Sequence, residues 1–578
     1  MKKLKIMNLL LTLLGCLFIP YSCSDNNSVE PDLKVSKTEM SFSAVGEVQS
    51  IYVQSNVDFT ATSSADWLTL SPSSGQGTGH VVELKITAAN NSSTDTRTAL
   101  ILIKAGEKTQ TITVTQSYQD LLIVANSSYS VDAAGGNITV NYQVSGTYDM
   151  TIGNDWIAES ATKATSSLSK TFTIGANRNH FARKGIIVFS LGNNKDTVVV
   201  NQAASQLTIA SDATGMSSDA KALSAKMGIG WNLGNSLEAC SSSTVASETM
   251  WGNPKTTKTL IDAVKSAGFN TIRIPCAWSG YMEDQTTYKI KDSWFARVKE
   301  VVDYCIANNM YVILNSHWDG GWRDENPFYA QQSAINEKQK ALWEQIAVYF
   351  RDYDEHLIFA GTNEVGHDAS TAPTAENITV QMSFNQTFVD AVRSTGGKNT
   401  YRNLLVQAYN TNIDLAVSSL KMPTDATSNR LMAEIHYYDP SDYCILTEDA
   451  SWATMKYYWG KEAGYDQYGA ISSWGQEDWA RTQFAKLKTN FIDKNIPVIM
   501  GEFGNMYREI ADASKQAHVT ASRNYYLKYI TSQAIANGVV PVYWDNGVTG
   551  NNGNGLFNRN TGEQAHADAI SALIHATN

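Results

Sequence analysis

The sequence is poor in cysteine, and its cysteines are not grouped as metal or disulfide clusters require. It has six cysteines in 578 residues, and two of them lie in the first 23 positions. The others stand apart, with no C-x-x-C pair: Cys240, Cys276, Cys305 and Cys444. This spacing indicates neither a zinc cluster nor a disulfide framework, so we expect four buried free thiols.

The sequence also lacks an excess of positive charge. It has 45 Lys and Arg against 56 Asp and Glu, a net charge of −11, and no cluster of basic residues. Nucleic-acid partners are therefore not expected, because their binding depends on clustered Lys and Arg. A neutral polymer fits better, since the 14 Trp and 27 Tyr supply flat faces on which sugar rings can stack.

Motifs for nucleotides and metals are missing as well. The chain has no H-E-x-x-H, Walker A or EF-hand sequence. The glycines of residues 228–234 resemble a dinucleotide fingerprint, but the spacing has one residue too many and no acidic partner follows at the right place. We therefore expect no cofactor and no metal.

The N-terminus has the pattern of a secretory signal. Three lysines occur in the first five residues and a largely apolar run follows at 6–19, too short to span a bilayer comfortably. Cys16 and Cys23 are both candidates for lipidation, and the polar residues after Cys23 favour Cys23. The sequence thus predicts a signal peptide at 1–22, a tether at 23–33, and a lipoprotein held on the outer-membrane surface of a Gram-negative bacterium through its lipid alone.

Residues 34–204 contain two copies of an all-β unit. Short alternating strands, such as residues 50–53, are separated by clusters of Gly, Ser, Asn and Asp. Three motifs recur after 86 to 89 residues: Ala65-Asp66-Trp67-Leu68 as Asn154-Asp155-Trp156-Ile157, Arg97-Thr98-Ala99-Leu100-Ile101 as Arg183-Lys184-Gly185-Ile186-Ile187, and Val114-Thr115-Gln116 as Val200-Asn201-Gln202. The period predicts two immunoglobulin-like sandwiches, at 34–118 and 119–204.

Both units resemble the BACON domain, a bacterial module named for carbohydrate binding and often found ahead of glycan-degrading enzymes. The resemblance rests on the three recurring motifs and implies either a binding module or a rigid spacer. Each unit has a single tryptophan, Trp67 or Trp156, at the same repeat position. A position that a repeat fixes is more often core than binding platform, so a spacer is favoured.

After a linker at 205–219, residues 220–578 alternate strand and helix patterns. Eight apolar runs are predicted as strands, at residues 227–231, 269–274, 311–314, 357–360, 404–406, 431–435, 497–500 and 539–543. Amphipathic stretches between them, such as 258–266 and 294–308, predict helices. The pattern indicates a (β/α)₈ TIM barrel, and the fold class is two all-β sandwiches followed by this α/β barrel.

Polar residues follow several of these strands, at the end where TIM barrels carry their active sites. The candidates are Arg273, His317, Trp318, Asn363, Glu364, His436, Tyr438, Glu502 and Trp544. Single polar residues at strand ends mean little, but Glu364 and Glu502 follow the fourth and seventh strands, on roughly opposite sides of the barrel mouth. Their carboxylates are predicted to converge as a pair that flanks a glycosidic bond.

These strand-end motifs together resemble glycoside hydrolase family 5 over residues 220 to 578. The motifs are Arg273-Ile274-Pro275, Asn315-Ser316-His317-Trp318, Thr362-Asn363-Glu364, His436-Tyr437-Tyr438, Gly501-Glu502-Phe503-Gly504 and Tyr543-Trp544. The resemblance implies that Glu364 is the acid/base and Glu502 the nucleophile. It places the remaining active-site positions at Arg273, His317, Asn363, His436, Tyr438 and Trp544. The segments 230–235 and 251–254 look like subfamily 4, whose members cut β-1,4-glucans and often xyloglucan.

The two carboxyl groups need different protonation states in a double displacement. Glu502 must be ionised, and we expect Arg273 and the Tyr438 hydroxyl to lower the pKa of Glu502. Glu364 must start protonated, and the charge of Glu502 is expected to raise the pKa of Glu364. The paired carboxylates thus predict a retaining glycoside hydrolase, and the subfamily resemblance implies that it is an endo-β-1,4-glucanase.

Xyloglucan is the predicted substrate, because the subfamily resemblance implies it and because aromatic residues at the barrel mouth suit a wide cleft. Trp318 and Trp322 follow the third strand, and four tryptophans lie in the long segment after the sixth: Trp452, Trp459, Trp474 and Trp479. That segment could instead fold on its own aromatic core. An endo-β-mannanase, a mixed-linkage glucanase and a non-catalytic glycan-binding protein are the alternatives, and a monomer is expected.

Overall fold

The computed structural model describes residues 30–160, 168–367 and 371–577. The predicted signal peptide, Cys16 and Cys23 lie outside these ranges. Among the helices of the described part, none is long and apolar enough to cross a membrane.

The first β-sandwich packs a four-stranded sheet, ordered β1-β3-β7-β5, and a five-stranded sheet, ordered β2-β9-β8-β4-β6. Its strands are β1 (Leu33–Val35), β2 (Glu39–Phe42), β3 (Val48–Ser55), β4 (Phe59–Ser63), β5 (Leu68–Ser71), β6 (Ser74–Gly75), β7 (Val81–Ala88), β8 (Arg97–Ala105) and β9 (Lys108–Gln116). Alternate residues point inward, so Ile51, Ile86, Ile101 and Ile112 are buried in one core.

The second sandwich has two four-stranded sheets, ordered β10-β12-β15-β14 and β11-β17-β16-β13. Its strands are β10 (Leu122–Val124), β11 (Ser128–Val131), β12 (Gly136–Val144), β13 (Asp149–Ile152), β14 (Ile157–Glu159), β15 (Ser169–Ile174), β16 (Arg183–Leu191) and β17 (Asn194–Gln202). The predicted pair of sandwiches is therefore confirmed.

The recurring motifs of the two sandwiches form a polar lock between strands. Arg97 Nε donates to Gln116 Oε1 at 2.9 Å, and Arg183 Nε donates to Gln202 Oε1 at 2.8 Å. Both glutamines are buried and donate in turn to backbone carbonyls. The guanidinium of Arg97 also lies 4.4 Å from the ring centre of half-buried Trp67, which covers that ring face. These residues recur because they hold the sandwich together.

The C-terminal part is a closed barrel of eight parallel strands, as predicted. The barrel strands are β18 (Gly230–Asn232), β21 (Thr271–Ile274), β24 (Tyr311–Asn315), β25 (Leu357–Ala360), β26 (Leu404–Gln407), β27 (Leu431–Tyr437), β28 (Val498–Phe503) and β29 (Val539–Tyr543), and two small hairpins are β19 (Cys240–Ser242) with β20 (Val245–Ala246) and β22 (Met282–Asp284) with β23 (Lys289–Ile290). The helices are α1 (Ala220–Met227), α2 (Lys258–Ser266), α3 (Asp292–Ala307), α4 (Tyr329–Tyr349), α5 (Ala375–Ser394), α6 (Ile413–Ser419), α7 (Ser441–Cys444), α8 (Glu477–Asn490), α9 (Ala513–Ala536) and α10 (Ala567–Ile574).

The first barrel strand was predicted too early in the chain. Met227 ends helix α1, and the strand begins at Gly230. Asp219 caps the helix by accepting from Ala222 N, and Gly228 ends it with φ +64°, a conformation that favours glycine. Met227 is apolar because it is buried inside the barrel, not because it belongs to the strand.

Helix α1 fills the N-terminal end of the barrel. Ala220, Leu223 and Met227 are buried in one cluster with inward-facing strand residues such as Ile313 and Ile499. Ser218 lies just before the helix and donates to the Glu355 carboxylate from its backbone N and from its Oγ, both at 2.7 Å. Lys226 Nζ, within the helix, lies 3.1 Å from the same carboxylate. The end of the barrel opposite the active site is thus closed.

Much of the predicted linker, 205–219, is attached to the barrel. Arg351 donates to Leu207 O at 2.9 Å, and Thr208 Oγ1 donates to Ser394 O at 2.8 Å. Ile209 forms a parallel bridge with Gly396. The segment is therefore part of the folded barrel unit.

The four cysteines of the barrel, Cys240, Cys276, Cys305 and Cys444, are all free and buried, as expected. Burial raises the pKa of each thiol. They are therefore inert packing groups rather than nucleophiles.

Candidate active site

The C-terminal ends of the barrel strands bring the predicted site residues together. Arg273, His436 and Glu502 lie within strands β21, β27 and β28. His317 and Trp318 follow β24, Asn363 and Glu364 follow β25, Tyr438 follows β27 and Trp544 follows β29. Most of these side chains are buried, but the Glu364 side chain is 46% exposed and so opens to the cleft.

Glu502 is held by two donors from neighbouring strands. Arg273 Nη1 lies 2.8 Å from Glu502 Oε1, and the Tyr438 hydroxyl donates to Glu502 Oε2 at 3.0 Å. Arg273 is fully buried and also donates to Asn232 Oδ1 and Asn363 Oδ1, at 3.0 and 2.8 Å. The Arg273 guanidinium therefore holds one carboxylate oxygen of Glu502, and the Tyr438 hydroxyl holds the other.

A bulge at Gly501 aims Glu502 into the site. His436 pairs with Glu502 although the preceding pair joins Ile435 to Met500, so Gly501 is an extra residue in strand β28. A Cβ on Gly501 would lie 2.0 Å from Glu434 Oε1, which leaves room for glycine alone. Bulges commonly redirect side chains beside active sites.

Glu434 occupies the space that Gly501 leaves. Its carboxylate is fully buried, 2.9 Å from Arg273 Nε, 3.4 Å from His436 Nε2 and 2.5 Å from Gln407 Nε2. One buried carboxylate thus contacts both cations of the site. Glu434 positions Arg273 against Glu502 and His436 against Glu364.

Glu364 contacts His436, whereas Glu502 contacts Arg273. His436 Nδ1 lies 2.6 Å from Glu364 Oε1, and the Thr411 hydroxyl lies 3.5 Å from the same oxygen. The backbone N–H of Glu364 donates to Asp324 Oδ2 at 3.2 Å. Asp324 is buried in an ion pair with Arg323, at 2.7 Å, so a rigid polar network supports the loop that carries Glu364.

The pKa directions of the two carboxyl groups are the reverse of those expected from the sequence. Burial would raise the pKa of Glu364, but the hydrogen bond and charge of His436 outweigh it and lower this pKa. Burial raises the pKa of Glu502 by more than His436 and Arg273 lower it. For Glu364 the expectation was wrong because nothing in the sequence placed His436 against its carboxylate. For Glu502 the expectation was wrong because burial outweighs the lowering of the pKa by Arg273 and Tyr438.

The pKa of His436 is raised well above the ordinary value for histidine, so the ring stays protonated at neutral pH. Burial alone would lower the pKa of His436, but Glu502, Glu364 and Glu434 surround the ring and raise this pKa to about 9. The pair of His436 and Glu364 therefore holds one ionisable proton, which lies on His436, 2.6 Å from Glu364 Oε1. Moving that proton from Nδ1 to Oε1 makes Glu364 an acid without any exchange with solvent.

Asn363, His317 and Trp544 complete the floor and wall of the site. Asn363 accepts from Arg273 through its carbonyl oxygen, which leaves the amide NH₂ as a donor. The rings of His317 and Trp544 are parallel, with 6° between planes and 5.8 Å between centroids. His317 Nδ1 lies 3.1 Å from Asn315 Nδ2, so the amide orients the imidazole.

Donor atoms from three residues could also hold a cation. One atom each from Glu364, His436 and Glu502 lie within 4.8 Å of one another. The same limit places a carboxylate oxygen of Glu364 within 4.8 Å of one of Glu502. Both the Glu364–Glu502 separation and the His436 proton suit general acid and nucleophilic chemistry on a bond between them.

The aromatic residues expected at the barrel mouth have different roles. Trp318 is half-buried and donates to Glu325 Oε1 at 2.8 Å, whereas the Trp322 indole donates to buried Asp319 and packs on Lys338. Trp459 is fully buried against Tyr525, Tyr526 and Tyr529, so this part of the long segment folds on its own core. Trp452 and Trp474 are 64% and 41% exposed.

Sequence reasoning missed the residues that support the site from below. They are Asn232, Asn315, Asp324, Gln407, Thr411 and Glu434. Glu434 left a signal, because a carboxylate in the otherwise apolar run 431–435 must be paired if the run is a buried strand.

Comparisons with known proteins identify the family of the chain. A model described as cellulase (glycosyl hydrolase family 5) matches residues 235–550, and the BACON model, an N-terminal binding domain, matches residues 52–117 and 136–203. The xyloglucan-specific endo-β-1,4-glucanase of Bacteroides ovatus is 37% identical over 486 residues, which are 82% of this chain and 93% of that protein.

Solved structures give the same result. A Bacteroides ovatus family 5 xyloglucanase in complex with a XXXG heptasaccharide matches with a TM-score of 0.60 and 33% identity, covering 94% of this chain and 99% of the other. A broad-specificity endoglucanase from Bacteroides salanitronis matches with a TM-score of 0.55 and 37% identity, covering 61% and 93%. The chain belongs to glycosyl hydrolase family 5, the cellulase family, and carries two BACON domains ahead of its catalytic barrel.

Proposed function

We propose that this family 5 glycoside hydrolase is a retaining endo-β-1,4-glucanase that acts on xyloglucan. The separation of Glu364 and Glu502 carries the mechanistic part of the proposal, with carboxylate oxygens within 4.8 Å of each other. Retaining enzymes hold their carboxyl groups about 5 to 5.5 Å apart, whereas inverting enzymes need about 6.5 to 9.5 Å to admit a water molecule.

In the first step Glu502 attacks the anomeric carbon while Glu364 gives its proton to the leaving oxygen. His436 supplies that proton to Glu364 across their 2.6 Å contact. The C–O bond to the leaving sugar breaks as the bond to Glu502 forms, so the charge of Glu502 is consumed. Arg273 and Tyr438 hold Glu502 in line for this attack.

In the second step Glu364, now ionised, takes a proton from water, and the water oxygen displaces Glu502 from the sugar. The Asn363 amide is placed to donate to the 2-hydroxyl, a contact that strengthens as positive charge develops on the sugar ring. Trp544 offers its face to the sugar beside the broken bond. Two inversions restore the original anomeric configuration.

The choice of xyloglucan is supported by relatives of this chain. The Bacteroides ovatus glucanase is named as xyloglucan-specific and matches across the sandwiches and the barrel alike. The Bacteroides salanitronis relative is named as a broad-specificity endoglucanase and matches less of the chain. A broad-specificity endo-β-1,4-glucanase is therefore the second candidate function.

The test is to measure kcat/KM on xyloglucan, mixed-linkage glucan, carboxymethylcellulose and mannan under identical conditions, with Glu502→Gln as the control for contaminating activity. We expect xyloglucan to be preferred, and an equal or higher value on a linear glucan or mannan would contradict this. Proton NMR of the first product should show the β anomer. An initial α anomer would overturn the retaining mechanism.

We further propose that the chain is a cell-surface lipoprotein anchored at Cys23 and that the sandwiches are spacers. The anchor rests on the polar sequence after Cys23, and the spacer on the polar lock of each sandwich. Replacement of Cys23 by Ser should abolish incorporation of labelled palmitate, and Cys16→Ser should not. Retained labelling of the Cys23 variant would reassign the anchor.

A further inference from the structure

A large cavity lies between the segment that precedes helix α8 and the first turn of that helix, and none of the catalytic residues lines it. Its volume is about 880 Å³, within the range of small-molecule sites, about 300 to 1,000 Å³. The wall is formed by two short stretches of chain: Lys461, Glu462, Asp466 and Ile471, Ser472, Ser473, Trp474, Gly475, Gln476, Glu477, Asp478, Trp479. The proposed mechanism uses none of these residues.

Two tryptophans form a corner in this wall. The rings of Trp474 and Trp479 are 5.8 Å apart and perpendicular. Trp479 is fixed, because its indole N–H donates to Asp439 Oδ2 at 2.9 Å. Trp474 is 41% exposed, and an exposed flat ring beside a fixed one is suited to stack on the C–H face of a sugar.

The remaining wall is rich in polar groups that a sugar can use. Ser472 and Glu477 are buried, and within the described residues Ser472 Oγ and Glu477 Oε2 have no hydrogen-bond partner. Both atoms lie beneath the surface of the wall, so they offer no contact to a ligand in the cavity as it stands. The carboxylates of Asp466 and Asp478 add acceptors, and together with Glu462, which is paired with Arg481, they disfavour an anionic ligand.

A metal ion does not fit this cavity equally well. In the part of the chain that the structure describes, the group of three close donors able to hold a cation is Glu364, His436 and Glu502, at the catalytic centre. The combination of two perpendicular aromatic rings and carboxylate acceptors instead matches a neutral polyol.

We propose that this cavity is a second carbohydrate site, which binds a short stretch of the glucan chain through Trp474 while the barrel cuts elsewhere on the polymer. The identity of the sugar rests on the proposed function. A second attachment point raises the effective concentration of polymer at the catalytic cleft, so KM for the polymer falls while kcat stays the same.

The binding experiment uses the full chain with Glu502→Gln to stop turnover and the XXXG xyloglucan heptasaccharide as the probe. Calorimetry should find two sites, and adding Trp474→Ala should remove one or weaken it about tenfold. Trp474→Phe should keep the site. Trp452→Ala is the matched control, because Trp452 is 64% exposed in the same segment and is not part of the cavity wall.

Kinetics of the enzyme with Glu502 intact give an independent readout. Trp474→Ala should raise KM for the polymer about fivefold to tenfold and leave kcat and the hydrolysis of an aryl cellobioside unchanged. Equal stoichiometry and KM in the Trp474→Ala and Trp452→Ala variants would overturn the second site. If xyloglucan is not cut at all, the substrate proposal fails, and the same comparison with oligosaccharides of the glucan that is cut decides the second site.

Discussion

At the residue scale, the site is organised around a single ionisable proton on His436. His436 contacts Glu364 at 2.6 Å and Glu434 at 3.4 Å, and Glu434 also contacts Arg273. Glu502 and Glu364, the proposed nucleophile and acid, are thus linked through Arg273, His436 and the fully buried carboxylate of Glu434. Changes at Glu434 should therefore alter the acid without removing it.

Glu434→Gln tests this link. Losing a negative charge beside His436 lowers the pKa of His436, which is now about 9. The His436 proton is then lost at lower pH, and the basic limb of kcat/KM should move down by about one to three pH units. A pH–rate profile of an aryl cellobioside measures this. Glu355→Gln, a buried carboxylate at the far end of the barrel, should leave the profile in place, and an unmoved profile in both variants would contradict the role of Glu434.

The proposed roles of Glu364 and Glu502 can be distinguished by the substrates that each alanine variant still hydrolyses. Glu502→Ala should abolish hydrolysis of every substrate, because no nucleophile remains. Glu364→Ala should lower kcat on the polymer about 10² to 10⁴-fold but spare the first step on an aryl cellobioside whose leaving group needs no proton. Far-UV circular dichroism verifies the fold. Equal losses on both substrates would show that Glu364 is not the acid.

At the scale of elements, strands could be predicted from the sequence and their supporting contacts could not. The runs that became β24, β25, β26 and β29 are apolar throughout because both faces of a barrel strand are buried, and this pattern is visible in the sequence. Met227 gave the same signal from a helix, so periodicity over a few residues did not distinguish the two.

The site residues divide in the same way. Glu364 and Glu502 were predictable because strand order places them across the barrel mouth. The pairing of His436 with Glu364 and the bulge at Gly501 depend on side-chain rotamers and on one extra residue in a strand. Neither leaves a pattern in a single sequence, and the pKa directions that depend on them were therefore wrong.

Helix α1 supports a prediction about stability and pH. Burial opposes ionisation of Glu355, but its hydrogen bonds to Ser218 and Lys226 lower the pKa of Glu355 to about 2, below its value of about 4.3 in an unfolded chain. This stabilisation is complete above pH about 4.3 and is lost as the pH falls toward 2.

Glu355→Gln should accordingly lower the free energy of unfolding of the barrel by about 1.5 to 3 kcal/mol at pH 7. The difference from the parent should shrink steadily from pH 4.3 to pH 2. Calorimetry of the barrel transition measures it. Glu462→Gln removes an exposed ion pair with Arg481 and should change stability by less than about 1 kcal/mol at either pH. A loss at Glu355 that does not depend on pH would contradict the assignment.

At the scale of the whole molecule, the two sandwiches and the barrel have different roles. The tryptophan of the first sandwich is half-buried beneath an arginine, and the recurring Arg–Gln contact holds together the strands of its own sandwich. The proposed catalytic groups all belong to the barrel. Removing the sandwiches should therefore leave the rate of hydrolysis of a soluble polymer unchanged.

A chain that begins at residue 205 tests this. We expect kcat/KM on soluble xyloglucan within about twofold of that of the full chain, because the spacer reading assigns no affinity to the sandwiches. The two isolated sandwiches, mixed with the same polymer in affinity electrophoresis, should not be retarded. Retardation, or a rise in KM on truncation, would favour binding modules instead.

The plug that helix α1 forms sets a minimum length for an independent hydrolase. The family pattern begins at residue 235, yet the apolar interior of the barrel is closed by Ala220, Leu223 and Met227, which precede it. A gene fragment that begins at residue 235 would encode every proposed catalytic group but would expose the apolar interior at the N-terminal end of the barrel. Such a fragment should be recovered in inclusion bodies, whereas one that begins fifteen or more residues upstream of the plug should be soluble.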